Sequence, residues 1–120
     1  MVISGDTRFS ENLIRHAGGV DVLLHEVFAA PPDVRDDPSV QFRSTHHSSP
    51  TDAARVFERV KPRLAVFTHV ALAPDRQGRP LSLEAVLKEA SSVFAGRVEV
   101  GEDLMKIVIG DAIDIQRARP

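Results

Sequence analysis

Three short apolar runs each stop at a polar side chain able to coordinate or move a proton, and this repetition restricts the fold more than any other feature. Val2-Ile3 gives way to Ser4-Gly5-Asp6-Thr7, residues 20–24 to His25-Glu26, and Leu64-Ala65-Val66-Phe67 to Thr68-His69. Continuous apolar runs of this length suit strands buried on both faces. Between the first two lies a helical pattern: Ser10 at the N-cap, Glu11 in the first turn, Leu13, Ile14 and Ala17 on one face, and Gly18-Gly19 as the stop. Strand, helix and strand joined by short loops make a βαβ unit with parallel strands and a right-handed crossover. Sites in parallel sheets form at the carboxyl ends of strands. Asp6 and His25-Glu26 are therefore expected near one sheet edge.

Residues 29–45 break the pattern. Pro31, Pro32 and Pro38 punctuate a polar stretch rich in Asp and Arg. It is expected to be a long loop, a feature that is usually functional or mobile. It delivers His46-His47-Ser48 to a second helix start, with Ser49 at the N-cap and Pro50 at the first helical position. That helix is expected to run to Val60, burying Ala53, Ala54, Phe57 and Val60. After the third strand and a loop over residues 73–80, Ser82 caps a third helix that Gly96 ends. Residues 98–100 and 104–109 read as two strands joined by a hairpin-type turn at Gly101-Glu102-Asp103. Residues 111–120 form a tail or one more edge strand.

At 120 residues the chain is one domain at most. A net charge of −2 supplies no general basic field for nucleic acid. The absence of cysteine excludes disulfides and thiolate metal sites. No apolar run nears the roughly 20 residues that span a bilayer. The first residues lack the pattern of a secretory signal. The expectation is a cytoplasmic protein that does not enter membranes.

Each candidate residue has an ordinary reading. Asp6 can be a turn or capping residue, His69 a satisfied rim histidine and His25-Glu26 a plain strand end. One of His46 and His47 faces solvent, and His16 sits on a helix surface beside Arg15. The combination is more specific. Three strands end in Asp, His-Glu or His, and a long loop brings His46-His47. Imidazole and carboxylate without thiolate suit zinc, manganese or iron at an open hydrolytic site.

In order and spacing across residues 1–110, the series Ser4-Gly5-Asp6-Thr7, Ser10-Glu11-Asn12-Leu13, Asp21-Val22-Leu23-Leu24-His25-Glu26, His47-Ser48-Ser49-Pro50 and Phe67-Thr68-His69 resembles the second half of a metallo-β-lactamase-fold hydrolase, in the ribonuclease Z-like and arylsulfatase-like branch. The resemblance implies an α/β fold: a mixed sheet of about five strands with three helices on one face, half of an αββα sandwich. It implies two divalent cations in the complete site, zinc foremost, with manganese or iron as alternatives. Asp6 matches the bridging aspartate and His69 the terminal histidine ligand. Glu26 and His47 match a hydrogen-bonded pair that protonates the leaving group, while His25 matches a structural position. The implied reaction is attack of metal-activated hydroxide on an ester-type bond. A phosphodiester is favoured by the Glu26–His47 pair, ahead of a sulfate ester, lactone or cyclic nucleotide.

The family's His-x-His-x-Asp-His motif is absent from these residues. The chain thus holds two of the expected ligands, Asp6 and His69, where catalytic zinc sites normally use three from protein. It is expected to hold metal weakly and to be inactive alone, with the abrupt first strand marking the seam of a divided fold. An apolar sheet face opposite the helices is expected to be covered by a second copy or by the N-terminal half. A small-molecule ester or RNA is expected as substrate only in the complete enzyme. The competing expectation is a non-catalytic module, derived from that fold, that oligomerises or binds a partner.

Overall fold

The structure, a computed structural model, describes residues 1–118. Its core is a parallel four-stranded sheet in the order β1 (Val2–Ile3), β2 (Val22–Ala29), β3 (Leu64–Leu72), β4 (Val98–Val100). Sequential order with parallel pairing requires a crossover between each pair of neighbours. Helices α1 (Glu11–Ala17), α3 (Pro50–Val60) and α4 (Leu83–Ser91) supply them. Crossovers of one hand stepping in one direction place their helices on one face. Leu13 and Ile14 of α1, Val56 and Phe57 of α3 and Val86 of α4 all pack with Leu23, Val27, Ala65 and Phe67 in a single core. Phe57 is its centre, with ring centroids 5.9 Å from His25, 5.5 Å from Phe67 and 5.8 Å from Phe94.

The helices start where short-range chemistry dictates. Ser10, Ser49 and Ser82 hydroxyls accept from the backbone N–H of Leu13, Asp52 and Ala85 at 3.2, 3.1 and 3.1 Å. Each satisfies a donor that the first helical turn leaves free, worth about 1 kcal/mol. α3 closes on Lys61 in the left-handed conformation, φ 52°.

The α/β class and the half-sandwich architecture stand, with four differences from the sequence expectation. First, residues 29–45 are not a loop. They form a 3₁₀ turn, Pro32–Val34, and a further helix α2, Pro38–Ser44, so four helices are present among the described residues rather than three. Pro38 is tolerated because it occupies the first helical turn. Val34 and Val40 are buried against Phe28, Ala30 and Ala73 in a second small core.

Second, β4 and the following strand do not form a hairpin. β4 pairs parallel with β3, Phe67 opposite Val100. The next strand, β5 (Lys106–Ile109), pairs antiparallel with β6 (Ile113–Gln116) in a separate two-stranded sheet. The sheet at the core is therefore wholly parallel. Third, this hairpin lies across the face opposite the helices. Met105, Ile107, Ile113 and Ile115 pack on Val22, Leu64 and Val66, which are buried. The face expected to be bare is thus covered at its centre, and exposed apolar surface remains at Ile3 and along the hairpin at Val108 and Ile109.

Fourth, β2 and β3 do not end at His25-Glu26 and Thr68-His69. They continue to Ala29 and Leu72 and remain paired. The rim exists because their neighbours stop there: β1 ends at Ile3 and β4 at Val100. The segment 111–120 holds strand β6, and residues 119–120 lie outside the described residues. No described helix is long and apolar enough to cross a membrane.

Candidate metal and acid–base centre

Asp6 reaches the rim because β1 turns sharply after Ile3. Gly5 carries the turn with φ +63°, a left-handed conformation that a side chain would strain. Ser4 anchors the turn to β2, its hydroxyl accepting from Glu26 N–H at 3.2 Å. His69 reaches the rim differently. Glu26 lies opposite Thr68 and Val27 opposite Val70, so His69 is the extra residue of a β-bulge. Its φ of 45° is unusual for a residue with a side chain. A bulge re-aims one side chain without ending the strand. His69 turns toward β1, with Nε2 3.8 Å from Asp6 Oδ1.

Glu26 is the buried anchor, 1% exposed. Its Oε1 accepts three hydrogen bonds at 3.1 Å: from Thr7 N–H, Ser48 N–H and His47 Nδ1–H. A buried carboxylate is costly unless donors replace its water. Here one oxygen is fully served, while Oε2 has no partner among the described residues. Ser48 closes the arrangement: its hydroxyl donates to Thr7 C=O at 2.7 Å and its carbonyl accepts from Phe28 N–H at 2.8 Å. The loop carrying Asp6 and the loop carrying His47 are therefore tied to each other and to β2.

His47 stacks beside His69, with ring centroids 6.0 Å apart and planes 19° from parallel. With its Nδ1–H engaged by Glu26, the other ring nitrogen is free for the rim. Asp6, His47 and His69 offer ligand atoms that all lie within 4.8 Å of one another. Two imidazoles and a carboxylate fit a divalent transition ion. Beside His69 opens a cleft of about 350 Å³, walled by Leu24, Val66, Met105 and Ile107 and rimmed by Glu102 and Asp103.

The sequence candidates separate cleanly in space. Asp6, Glu26, His47 and His69 converge. His46 turns away, its Nδ1 beside Thr45 Oγ1 at 2.9 Å and its ring on Phe42. His16 bonds Asn12 C=O on the surface of α1. His25 faces the helix layer, fully buried. Its Nδ1–H donates to Glu26 C=O at 2.7 Å. Burial holds its imidazole below the usual histidine range, outweighing the opposite pull of the Glu26 carbonyl and carboxylate. The sequence reading missed the part played by Ser48 and by Thr7 N–H. Ser48 carries no signal of its own in the sequence, since Ser49 before Pro50 already accounts for the helix cap.

No family model matches the chain. Ribonuclease Z of Myxococcus xanthus is 34% identical over 103 residues, covering 86% of this chain and 30% of that protein. Ribonuclease Z of Anoxybacillus flavithermus is 30% identical over 94 residues, covering 78% of this chain and 27% of that protein. A putative ribonuclease Z of Mycobacterium tuberculosis is 30% identical over 113 residues, covering 91% of this chain and 47% of that protein. Among solved structures, the metallo-β-lactamase fold protein YhfI from Bacillus subtilis superimposes with a TM-score of 0.64 at 20% identity, covering 84% of this chain and 36% of that one. The chain therefore spans between about a quarter and a half of the length of these relatives.

Proposed function

We propose that this chain, which has the metallo-β-lactamase fold and is similar to ribonuclease Z sequences over most of its length, supplies the C-terminal half of a metal-dependent hydrolase acting on a phosphodiester. The observation that carries the reading is the convergence of Asp6, His47 and His69 over the buried carboxylate of Glu26. Asp6 and His69 would hold the cations, and zinc is the first choice. Such cations supply Lewis acidity and lower the pKa of a coordinated water. The remaining ligands, of the His-x-His-x-Asp-His type, would come from the other half of the fold.

The chain's own residues do the rest. Glu26 holds His47 by Nδ1–H, which fixes the ring and its orientation. The opposite ring nitrogen then carries the proton that the leaving oxygen needs. Ser48 and Thr7 keep the two loops in register, so the acid and the cation ligands stay at a fixed separation. The apolar edge at Ile3 and Leu24, left open beside the β5–β6 hairpin, is the surface on which the complementing half or a second copy would dock.

The test is reconstitution. The chain is mixed with a separately expressed segment carrying the His-x-His-x-Asp-His motif, loaded with zinc or manganese, and assayed on bis(p-nitrophenyl) phosphate. Turnover that Asp6→Ala or His69→Ala abolishes is the expected result. His47→Ala should lower kcat by about 10²–10⁴, the range for general acid catalysis. Cleavage of sulfate esters or lactones in preference would overturn the phosphodiester assignment. Stable assembly with no turnover and no metal uptake would favour the second reading, a partner-binding module, to which the exposed Ile3, Val108 and Ile109 lend support.

A further inference from the structure

We infer that Arg43, held over the Phe28 ring, is a positioning residue that binds an oxyanion, phosphate or carboxylate, carried by the substrate's leaving group. The inference rests on the reading of His47 as the group that serves the leaving oxygen. It goes beyond that reading by assigning a charge to the group that departs.

Phe28 joins Arg43 to the centre. It follows Glu26 by two residues on β2, and its N–H donates to Ser48 C=O at 2.8 Å, so its backbone is tied to the loop that carries His47. Its ring is buried, with the centroid 6.2 Å from that of His47. The Arg43 guanidinium carbon sits over the same ring, 4.4 Å from the centroid. That separation lies within cation–π range, a contact that holds the guanidinium without using its N–H donors. One aromatic ring therefore links the cation to the proton donor. A group that takes its proton from His47 has Arg43 as a neighbouring cation.

The guanidinium is exposed and uncommitted. Among the described residues it has neither an ion pair nor a side-chain hydrogen bond. The carboxylates across the adjoining cleft of about 320 Å³ already have partners: Asp75 accepts from Arg79 Nε–H at 2.8 Å, and Asp37 lies 3.5 Å from Arg76. Arg43 also stands in the last turn of α2, where the helix's free carbonyls favour a cation. That role needs only the charge and leaves the donors open. A guanidinium presents paired N–H donors in one plane, which match two oxygens of a phosphate or carboxylate. Arg15, exposed on α1, likewise has no ion pair among the described residues, but it lies over no described aromatic ring and serves as the control.

The test has two arms. In the first, the separate chain, isotopically labelled on nitrogen, is titrated at pH 7.5 and low salt with inorganic phosphate and, in a second series, with benzoate. The arginine Nε–H resonances are followed. The Arg43 resonance, identified by its loss in Arg43→Lys, should shift at lower concentration than that of Arg15, and added salt should reverse the shift. The ion that acts at the lower concentration identifies the oxyanion. In the second arm, the reconstituted hydrolase is given methyl phosphodiesters whose leaving group is p-nitrophenol or the same phenol carrying a carboxylate. Arg43→Gln should reduce kcat/KM for the carboxylated ester about tenfold more than for the neutral one, the size of one charge-assisted hydrogen bond, and the difference should appear in KM. Arg43→Lys, which keeps the charge without the fork, should recover part of the loss. Arg15→Gln should leave the ratio between the two esters unchanged. Circular dichroism checks each variant's fold. An Arg43 resonance that moves no sooner than that of Arg15 in both series overturns the inference, as does an equal effect of Arg43→Gln on the two esters. No turnover, with the Arg43 shift selective, would overturn the hydrolase reading while the oxyanion contact stands. Turnover with neither effect at Arg43 would overturn this inference alone.

Discussion

Replacing Glu26 tests whether one buried oxygen organises the centre. In Glu26→Ala three donors lose their acceptor. Ser48 N–H is buried and has no other partner among the described residues, so its desolvation penalty returns almost in full. Thr7 N–H is partly exposed, and water can replace the bond. His47 Nδ1–H can also turn to water. An unsatisfied buried donor costs roughly 1–3 kcal/mol, and bonds to a charged acceptor lie at the upper end. Against this, the alanine removes a carboxylate whose Oε2 is buried without a partner. The desolvation of that group is itself unfavourable. The net expectation is a loss of about 2–4 kcal/mol, against a total stability of roughly 5–15 kcal/mol for a typical domain. Glu26→Gln keeps an acceptor at Oε1 but places an amide N–H₂ where Oε2 finds no partner. It should lose about 1–2 kcal/mol, less than alanine. With no Trp or Tyr in the chain, urea unfolding is best followed by circular dichroism at pH 7.5 and extrapolated linearly. An alanine variant within 0.5 kcal/mol of the parent, or glutamine more damaging than alanine, would refute the anchoring role.

Two further outcomes follow from the fold. Burial depresses the His25 imidazole, so the unfolded chain binds this proton more readily than the folded one. The resulting stability is complete above the unfolded value of about 6.5 and declines as pH falls through it. Urea midpoints at pH 7.5 and 5.5 should therefore show a loss on acidification that shrinks in His25→Gln; an undiminished loss would assign the slope to other groups. The apolar edge at Ile3, 59% exposed, predicts self-association at micromolar concentration in sedimentation, weakened by Ile3→Glu. A monomer that also binds no hydrophobic dye would count against that edge as an interface.

Much of the centre was legible because its residues announce themselves by type and place. Asp6, Glu26 and His69 each follow an apolar run, and His47 precedes an evident helix start. The bulge at His69 was not legible, because it depends on how β3 registers against β2 beyond Thr68. Ser48 was not legible either, since its role arises only when the Asp6 loop lies against it. α2 was hidden by Pro38, which reads as a breaker until its position in the first helical turn is known. The pairing of residues 98–100 with β3 was hidden by Gly101-Glu102-Asp103, which satisfies the local requirements of a hairpin turn.

The sequence alone determined the α/β class and the parallel β1–β2 unit, the helix starts at Ser10, Ser49 and Ser82, and the set of residues from which a metal and acid–base centre could be drawn. These follow from capping, periodicity and side-chain chemistry, which act over a few neighbours. Tertiary structure decided that β2 and β3 run past the rim while β1 and β4 stop at it. It also laid the β5–β6 hairpin over Val22, Leu64 and Val66, and gathered Asp6, His47 and His69 above the buried Glu26. Those outcomes turn on strand register and burial between segments tens of residues apart, where the free energy depends on what each strand finds beside it.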